Sequence, residues 1–217
     1  MTGELRGTGV AGSREVVRIS PVIPVVVIDD VAAAVPLARA LVRGGVRVVE
    51  ITLRTPAGLP ALERVAAEVP EICVGAGTVT TPSMVDAVVA AGASFIVLPG
   101  SPEGLLSAAV DSGLPVLPGA STITEAMRLV ELGQDVLKFF PAEASGGPGF
   151  LAALRGPLPD IEFCPTGGIS RGNVRDYLAL PNVVCVGGSW LTPADALAAK
   201  DWDRVESLAR EVSLLVP

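Results

Sequence analysis

The chain has 217 residues, half of them hydrophobic and 18% charged, with a net charge of −7 and no histidine. That size suits one domain with a substantial core, and the acidic balance argues against a nucleic-acid or anionic-membrane surface, which would need basic patches. Without histidine there is no Ser-His-Asp or Cys-His nucleophile and no histidine metal site, so chemistry near neutral pH must rest on a carboxylate, lysine, tyrosine, cysteine or bound water.

Residues 1–15, rich in Gly and Arg and lacking a long apolar stretch, read as an N-terminal extension, flexible or helical, with no signal peptide. Residues 16–217 read as a single domain. Short β-rich runs recur at 22–28, 46–52, 72–76, 94–98, 114–118, 135–140, 161–166 and 182–187. Segments with helical apolar spacing, such as 31–43 and 122–132, separate them. Thr81-Pro82, Ser101-Pro102 and Thr192-Pro193 each read as an N-cap followed by proline at the first helical position. Thr122 with Glu125 reads as a capping box, and Gly44-Gly45 and Gly133 as helix ends. Strand starts roughly 20–26 residues apart make one βα unit each, so eight units predict a closed parallel eight-stranded (β/α)8 TIM barrel. An open doubly wound sheet is the competing architecture, but no G-x-G-x-x-G turn follows the first run.

Three cysteines (Cys73, Cys164 and Cys185), each within an apolar run, fit reduced thiols in a cytoplasmic protein. Apolar runs are short and broken by Pro or Gly, so none spans a membrane.

Alternation along the second run puts Glu50, Thr52 and Arg54 on one face. A glutamate within VVEIT is either half of an ion pair, with Arg54 or another base, or a catalytic carboxylate. In the sixth run, Val136, Lys138 and Phe140 share a face. Lysine is rarely buried, and the chain has only Lys138 and Lys200. Lys138 either pairs with a carboxylate such as Glu143 or Glu50, or serves as an amine nucleophile, whose neutral form an apolar site favours. Thr166-Gly167-Gly168 and Gly187-Gly188-Ser189 end the last two runs, where barrel enzymes commonly bind phosphate through backbone N–H groups. Tight turns would use the same glycines. Thr78 ends the third run, either as a turn residue or as a donor into a site. Trp190 and Trp202 read as packing residues.

The segments VEITLRT (49–55), VGAGTV (74–79), LKFFPAEASGG (137–147), FCPTGGIS (163–170) and RDYLALPNVVCVGGSWL (175–191) together resemble the 2-keto-3-deoxy-6-phosphogluconate (KDPG) aldolase family, also called 4-hydroxy-2-oxoglutarate aldolase. The likeness runs in order over about residues 20 to 212. It implies a class I aldolase without metal or cofactor that cleaves a phosphorylated keto acid into pyruvate and an aldehyde, and a homotrimer. It also implies that Lys138 forms the Schiff base and Glu50 transfers protons. Arg54, Thr78 and Thr166 would contact substrate, with Pro99 and Phe140 completing that set, and Gly167, Gly168, Gly188 and Ser189 would hold the phosphate. Two departures stand out. Leu98 occupies a position where many relatives carry a serine at the site mouth, and Asp29 and Asp30 make the end of the first run more acidic than usual.

Two other readings fit part of the pattern. A non-covalent phosphate-binding isomerase would use Glu50 as base and would not need Lys138 in a strand. A non-catalytic scaffold would have no reason to keep Glu50, Arg54 and Lys138 together.

Overall fold

The computed structural model describes residues 12–215. Most of the expected extension, residues 1–11, therefore lies outside the described residues. The remainder of it enters a short helix, α1 (Ser13–Val16), which is tied to the body of the protein. Ser13 Oγ donates to the Val116 carbonyl at 2.8 Å, and Arg14 makes ion pairs with Asp135 and Glu162.

Nine short strands follow: β1 (Val22–Val26), β2 (Val48–Thr52), β3 (Cys73–Gly77), β4 (Phe95–Val97), β5 (Val116–Leu117), β6 (Gly119–Ala120), β7 (Val136–Phe139), β8 (Glu162–Pro165) and β9 (Val186–Gly188). They are parallel, interleaved with helices, and dominated by buried Val, Ile and Leu. The βα alternation matches the sequence pattern, but the closed eight-stranded barrel expected from it does not form. Hydrogen bonding instead gives a six-stranded sheet, β5-β4-β3-β2-β1-β9, and a separate three-stranded sheet, β6-β7-β8. One cause is Pro118. It has no N–H to give to a ladder, so the fifth run breaks into β5, which pairs with β4, and β6, which pairs with β7. The other is the seam between β8 and β9, where only the isolated bridges Phe163↔Val183 and Thr166↔Gly187 form. The last strand accordingly starts at Val186, later than the run 182–187 implied.

Helix ends show where local chemistry sufficed. Thr81 caps α4 (Pro82–Ala90) by accepting from Met84 N, and Thr122 with Glu125 forms the complete capping box of α6 (Ile123–Glu131). Gly44 is the C-cap of α2 (Ala34–Arg43), and Gly133 takes a positive φ just beyond α6. The caps expected at Ser101 and Thr192 are not made. The helices there, α5 (Glu103–Asp111) and α9 (Ala194–Ala199), begin one residue later behind Pro102 and Pro193. The two hydroxyls donate instead to the carbonyls of Gly119 and Ser189. No helix among the described residues is long and apolar enough to cross a membrane.

Register defines an inner face. Val25, Glu50, Gly75 and Phe95 are aligned across four strands, and so are Gly119, Lys138 and Cys164 in the smaller sheet. In-register parallel neighbours point the same way. Lys138 and Glu50 touch, so the two sheets curl to share one interior. Alternation puts Phe95 and Val97 on this face and Leu98 on the opposite one, where it is fully buried in the hydrophobic core. Leu98 is a buried residue of the hydrophobic core just beyond the end of β4. Leu98→Ala is expected to destabilise the protein by about 2–5 kcal/mol, the usual cost of such a truncation. Urea denaturation measures this.

Candidate active site

Two charged side chains meet on the inner face. Lys138 on β7 and Glu50 on β2 are each 3% exposed, and Nζ lies 3.4 Å from the Glu50 Oε1 oxygen. Glu50 therefore pairs with Lys138 and not with Arg54, and Lys138 does not use Glu143. Two charges taken out of water are costly, and removing one partner strands the other at about 3–5 kcal/mol. The contact therefore needs a built environment. The Phe140 ring centroid is 5.2 Å from Nζ, a cation–π contact. On the other side, Gly77 makes room for the carboxylate: a Cβ there would sit 2.1 Å from Oε1.

Around this pair the remaining residues fall into three groups, all at the C-terminal ends of strands. Arg54 follows β2, and its Nε donates to Thr78 Oγ1 at 3.1 Å. Thr78 follows β3 with a φ of 60°, a left-handed conformation that turns its hydroxyl toward the guanidinium. Thr52, which alternation grouped with Glu50, is fully buried and donates to the Val26 carbonyl, a bond that ties β2 to β1. Pro99 follows β4, its carbonyl packed against Gly119, the strand neighbour of Lys138.

The third group surrounds the seam. Thr166 is buried, and Gly187 opposite it has no side chain because Thr166 Oγ1 would lie 2.2 Å from a Cβ there. Gly167 and Gly168 turn with φ of 103° and 78°. Among the described residues, the backbone N–H groups of Gly167, Gly168 and Ser189 donate to no carbonyl, which leaves them available to an anion. The Trp190 ring lies on Gly188. A cavity of about 560 Å³ lined by Val25, Val27, Asp29, Asp30, Ser189 and Trp190 opens beside this loop, and it includes neither Lys138 nor Glu50. Asp30 there is already engaged, accepting from Ala32 N and facing Lys200 Nζ at 3.7 Å.

Sequence reading did not single out Glu143 and Tyr177 as a pair. The Tyr177 hydroxyl donates to Glu143 Oε1 next to Gly168. The one signal available was that Tyr177 is the chain's only tyrosine. The three cysteines are buried free thiols. Burial pushes Cys73 up to about 11 and raises Cys185 as well, so both stay protonated and non-nucleophilic. No group of three or more His, Cys, Asp or Glu residues among those described is placed to hold a metal ion.

A buried lysine against a buried glutamate, each within a strand, is equipment suited to carbonyl chemistry. The model of the KDPG and KHG aldolase family matches residues 14–208. A 2-dehydro-3-deoxy-phosphogluconate aldolase of Dickeya dadantii is 53% identical over 199 residues, 92% of this chain and 93% of that protein. Among solved structures, a KDPG aldolase of Legionella pneumophila, with pyruvate captured as a covalent carbinolamine, superposes with a TM-score of 0.90 at 46% identity, covering 92% of this chain and 97% of that one. That of Zymomonas mobilis with 3-phosphoglycerate gives 0.89 at 42%, covering 94% and 95%. The chain belongs to the KDPG and KHG aldolase family.

The space at Gly77 offers a test. Gly77→Ala is expected to displace the Glu50 carboxylate and lower kcat by about 10²-fold or more, the range of lost general acid–base help. Steady-state cleavage kinetics measure this, with an unchanged far-UV circular dichroism spectrum as control.

Proposed function

We propose that this protein is a class I aldolase that cleaves 2-dehydro-3-deoxy-6-phosphogluconate to pyruvate and glyceraldehyde 3-phosphate, and that it also accepts 4-hydroxy-2-oxoglutarate. The observation that carries the reading is the buried 3.4 Å contact between Lys138 and Glu50. A buried lysine beside a group that can move protons is the arrangement that amine addition to a ketone uses. Lys138 Nζ adds to C2, giving a carbinolamine that loses water to become an iminium. Glu50, directly or through a water, takes the C4 hydroxyl proton. The C3–C4 bond then breaks, its electron pair moves into the iminium to form an enamine, and the aldehyde leaves. Protonation at C3 and hydrolysis release pyruvate and restore the amine.

The other residues take roles consistent with their places. Arg54, held by Thr78, meets the substrate carboxylate, Thr166 contacts the keto acid, and Pro99 and Phe140 close the pocket around Nζ. Gly167, Gly168, Gly188 and Ser189 receive the phosphate. The captured pyruvate of the Legionella protein and the phosphorylated ligand of the Zymomonas protein support a keto-acid substrate that carries a phosphate. Residues 16–217 act as one unit, and the protein works in the cytoplasm, in keeping with its three free thiols.

We propose a homotrimer as the working form. Ile123, Met127 and Leu132 leave apolar surface exposed on and just beyond α6, the kind of surface that a contact between copies would cover. Sedimentation equilibrium should give three times the chain mass. A monomer at micromolar concentration would end the trimer assignment.

The mechanism is tested by incubating the enzyme with pyruvate and borohydride, which reduces an iminium to a stable amine. Peptide mapping should place one adduct on Lys138. An adduct on Lys200, or none, would defeat the covalent assignment. Glu50→Gln should still form some adduct while kcat drops by about 10²–10⁴-fold.

A further inference from the structure

The loop that follows Lys138 and the loop that carries Gly167 and Gly168 are fastened to each other. Ala142 N donates to the Thr166 carbonyl at 2.8 Å and Glu143 N to the Gly167 carbonyl at 3.1 Å. The stem of Glu143 then crosses Gly168 so closely that a Cβ on the glycine would lie 2.5 Å from Glu143 Cγ. Its carboxylate does not remain at the loop amides. It is drawn toward Gly147, where Oε1 accepts from the Tyr177 hydroxyl, and a Cβ on Gly147 would be 3.5 Å from both oxygens.

Tyr177 lies on α8 (Val174–Leu178) and is fully buried. Burial and the neighbouring carboxylate raise its phenol well above the ordinary range, so it remains a donor. From the far side, Asn173 Nδ2 donates to the Gly168 carbonyl at 3.2 Å. Gly168 is therefore gripped by Glu143 on one side and by Asn173 on the other.

We infer that Glu143, anchored by Tyr177, is a positioning residue for the anion-binding turn. It sets the conformation of Gly167 and Gly168, and by turning its own negative charge toward Tyr177 it leaves their N–H groups free for phosphate. This rests on the phosphate assignment made above. Glu143 touches neither Lys138 nor the reacting carbons, so its effect falls on binding of the remote phosphate and not on the carbonyl chemistry.

The test compares wild type, Tyr177→Phe, Glu143→Ala and Glu143→Gln on the phosphorylated keto acid and on the same acid without its phosphate, with inorganic phosphate as inhibitor. The bond between Tyr177 and a charged carboxylate is internal, so its loss reaches the ligand through the order of the turn, and an effect of about tenfold in affinity is expected. Tyr177→Phe and Glu143→Ala should therefore raise KM for the phosphorylated substrate, and the inhibition constant for inorganic phosphate, by about that factor. Their kcat, pyruvate trapping and kinetics on the unphosphorylated acid should stay within about twofold of wild type. Glu143→Gln keeps the stem and an acceptor oxygen and should restore most of the binding. Unchanged constants in Tyr177→Phe and Glu143→Ala would overturn the inference, as would equal losses on both substrates. If Glu143→Ala does not fold, Tyr177→Phe decides, because it keeps the ring that fills the core. A wild-type enzyme indifferent to the phosphate would instead refute the phosphate assignment itself, a result visible before any variant is made.

Discussion

The contact between Lys138 and Glu50 is the constraint on which the rest of the molecule depends. Each residue stands on a different sheet, separated by 88 positions in sequence, yet the two side chains share a dry interior at 3.4 Å. Neither charge is tolerable there alone. The curl that brings the small sheet against the large one, the missing side chain at Gly77 and the ring of Phe140 are all conditions for keeping the pair. The Schiff-base role proposed for Lys138 would need such confinement, because water would solvate the ammonium form and fill the space a substrate must occupy.

The division of the strands into two sheets matches the division of labour. The six-stranded sheet carries Glu50 and leads into Arg54 and Thr78, and the three-stranded sheet carries Lys138 and leads into Phe140 and Thr166, the residues proposed to share the work. The seam where β8 and β9 barely pair is also where Gly167, Gly168 and Ser189 keep their N–H groups unspent. A continuous ladder would have consumed such donors. An incomplete one leaves them for a ligand, with glycine admitting the close approach.

Acidity makes this local arrangement necessary. At a net charge of −7 the protein as a whole repels the phosphorylated acid proposed as its substrate, so attraction would have to come from local groups such as Arg54 and oriented backbone dipoles. Asp30, which at first sight worsens the problem, has its carboxylate occupied by Ala32 N and Lys200, and Glu143 is turned aside by Tyr177.

By itself the sequence determined the βα order and the caps at Thr81 and Thr122, and it drew attention to two charges, Lys138 and Glu50, that the structure brings into contact. Those features are local: period-two and helical spacing, side chains that bond their own backbone, and two charges set in apolar strands where only pairing or use could justify them. The tertiary structure decided what depends on distant partners. It showed that Pro118 and a weak seam break the ring of strands into two sheets, since a ladder requires donors on both neighbours. It also chose Glu50 over Glu143 as the partner of Lys138, and sent Thr52 to the Val26 carbonyl. The Tyr177–Glu143 bond spans 34 residues, and no spacing rule foretells it, because side chains meet there only after the helices have packed.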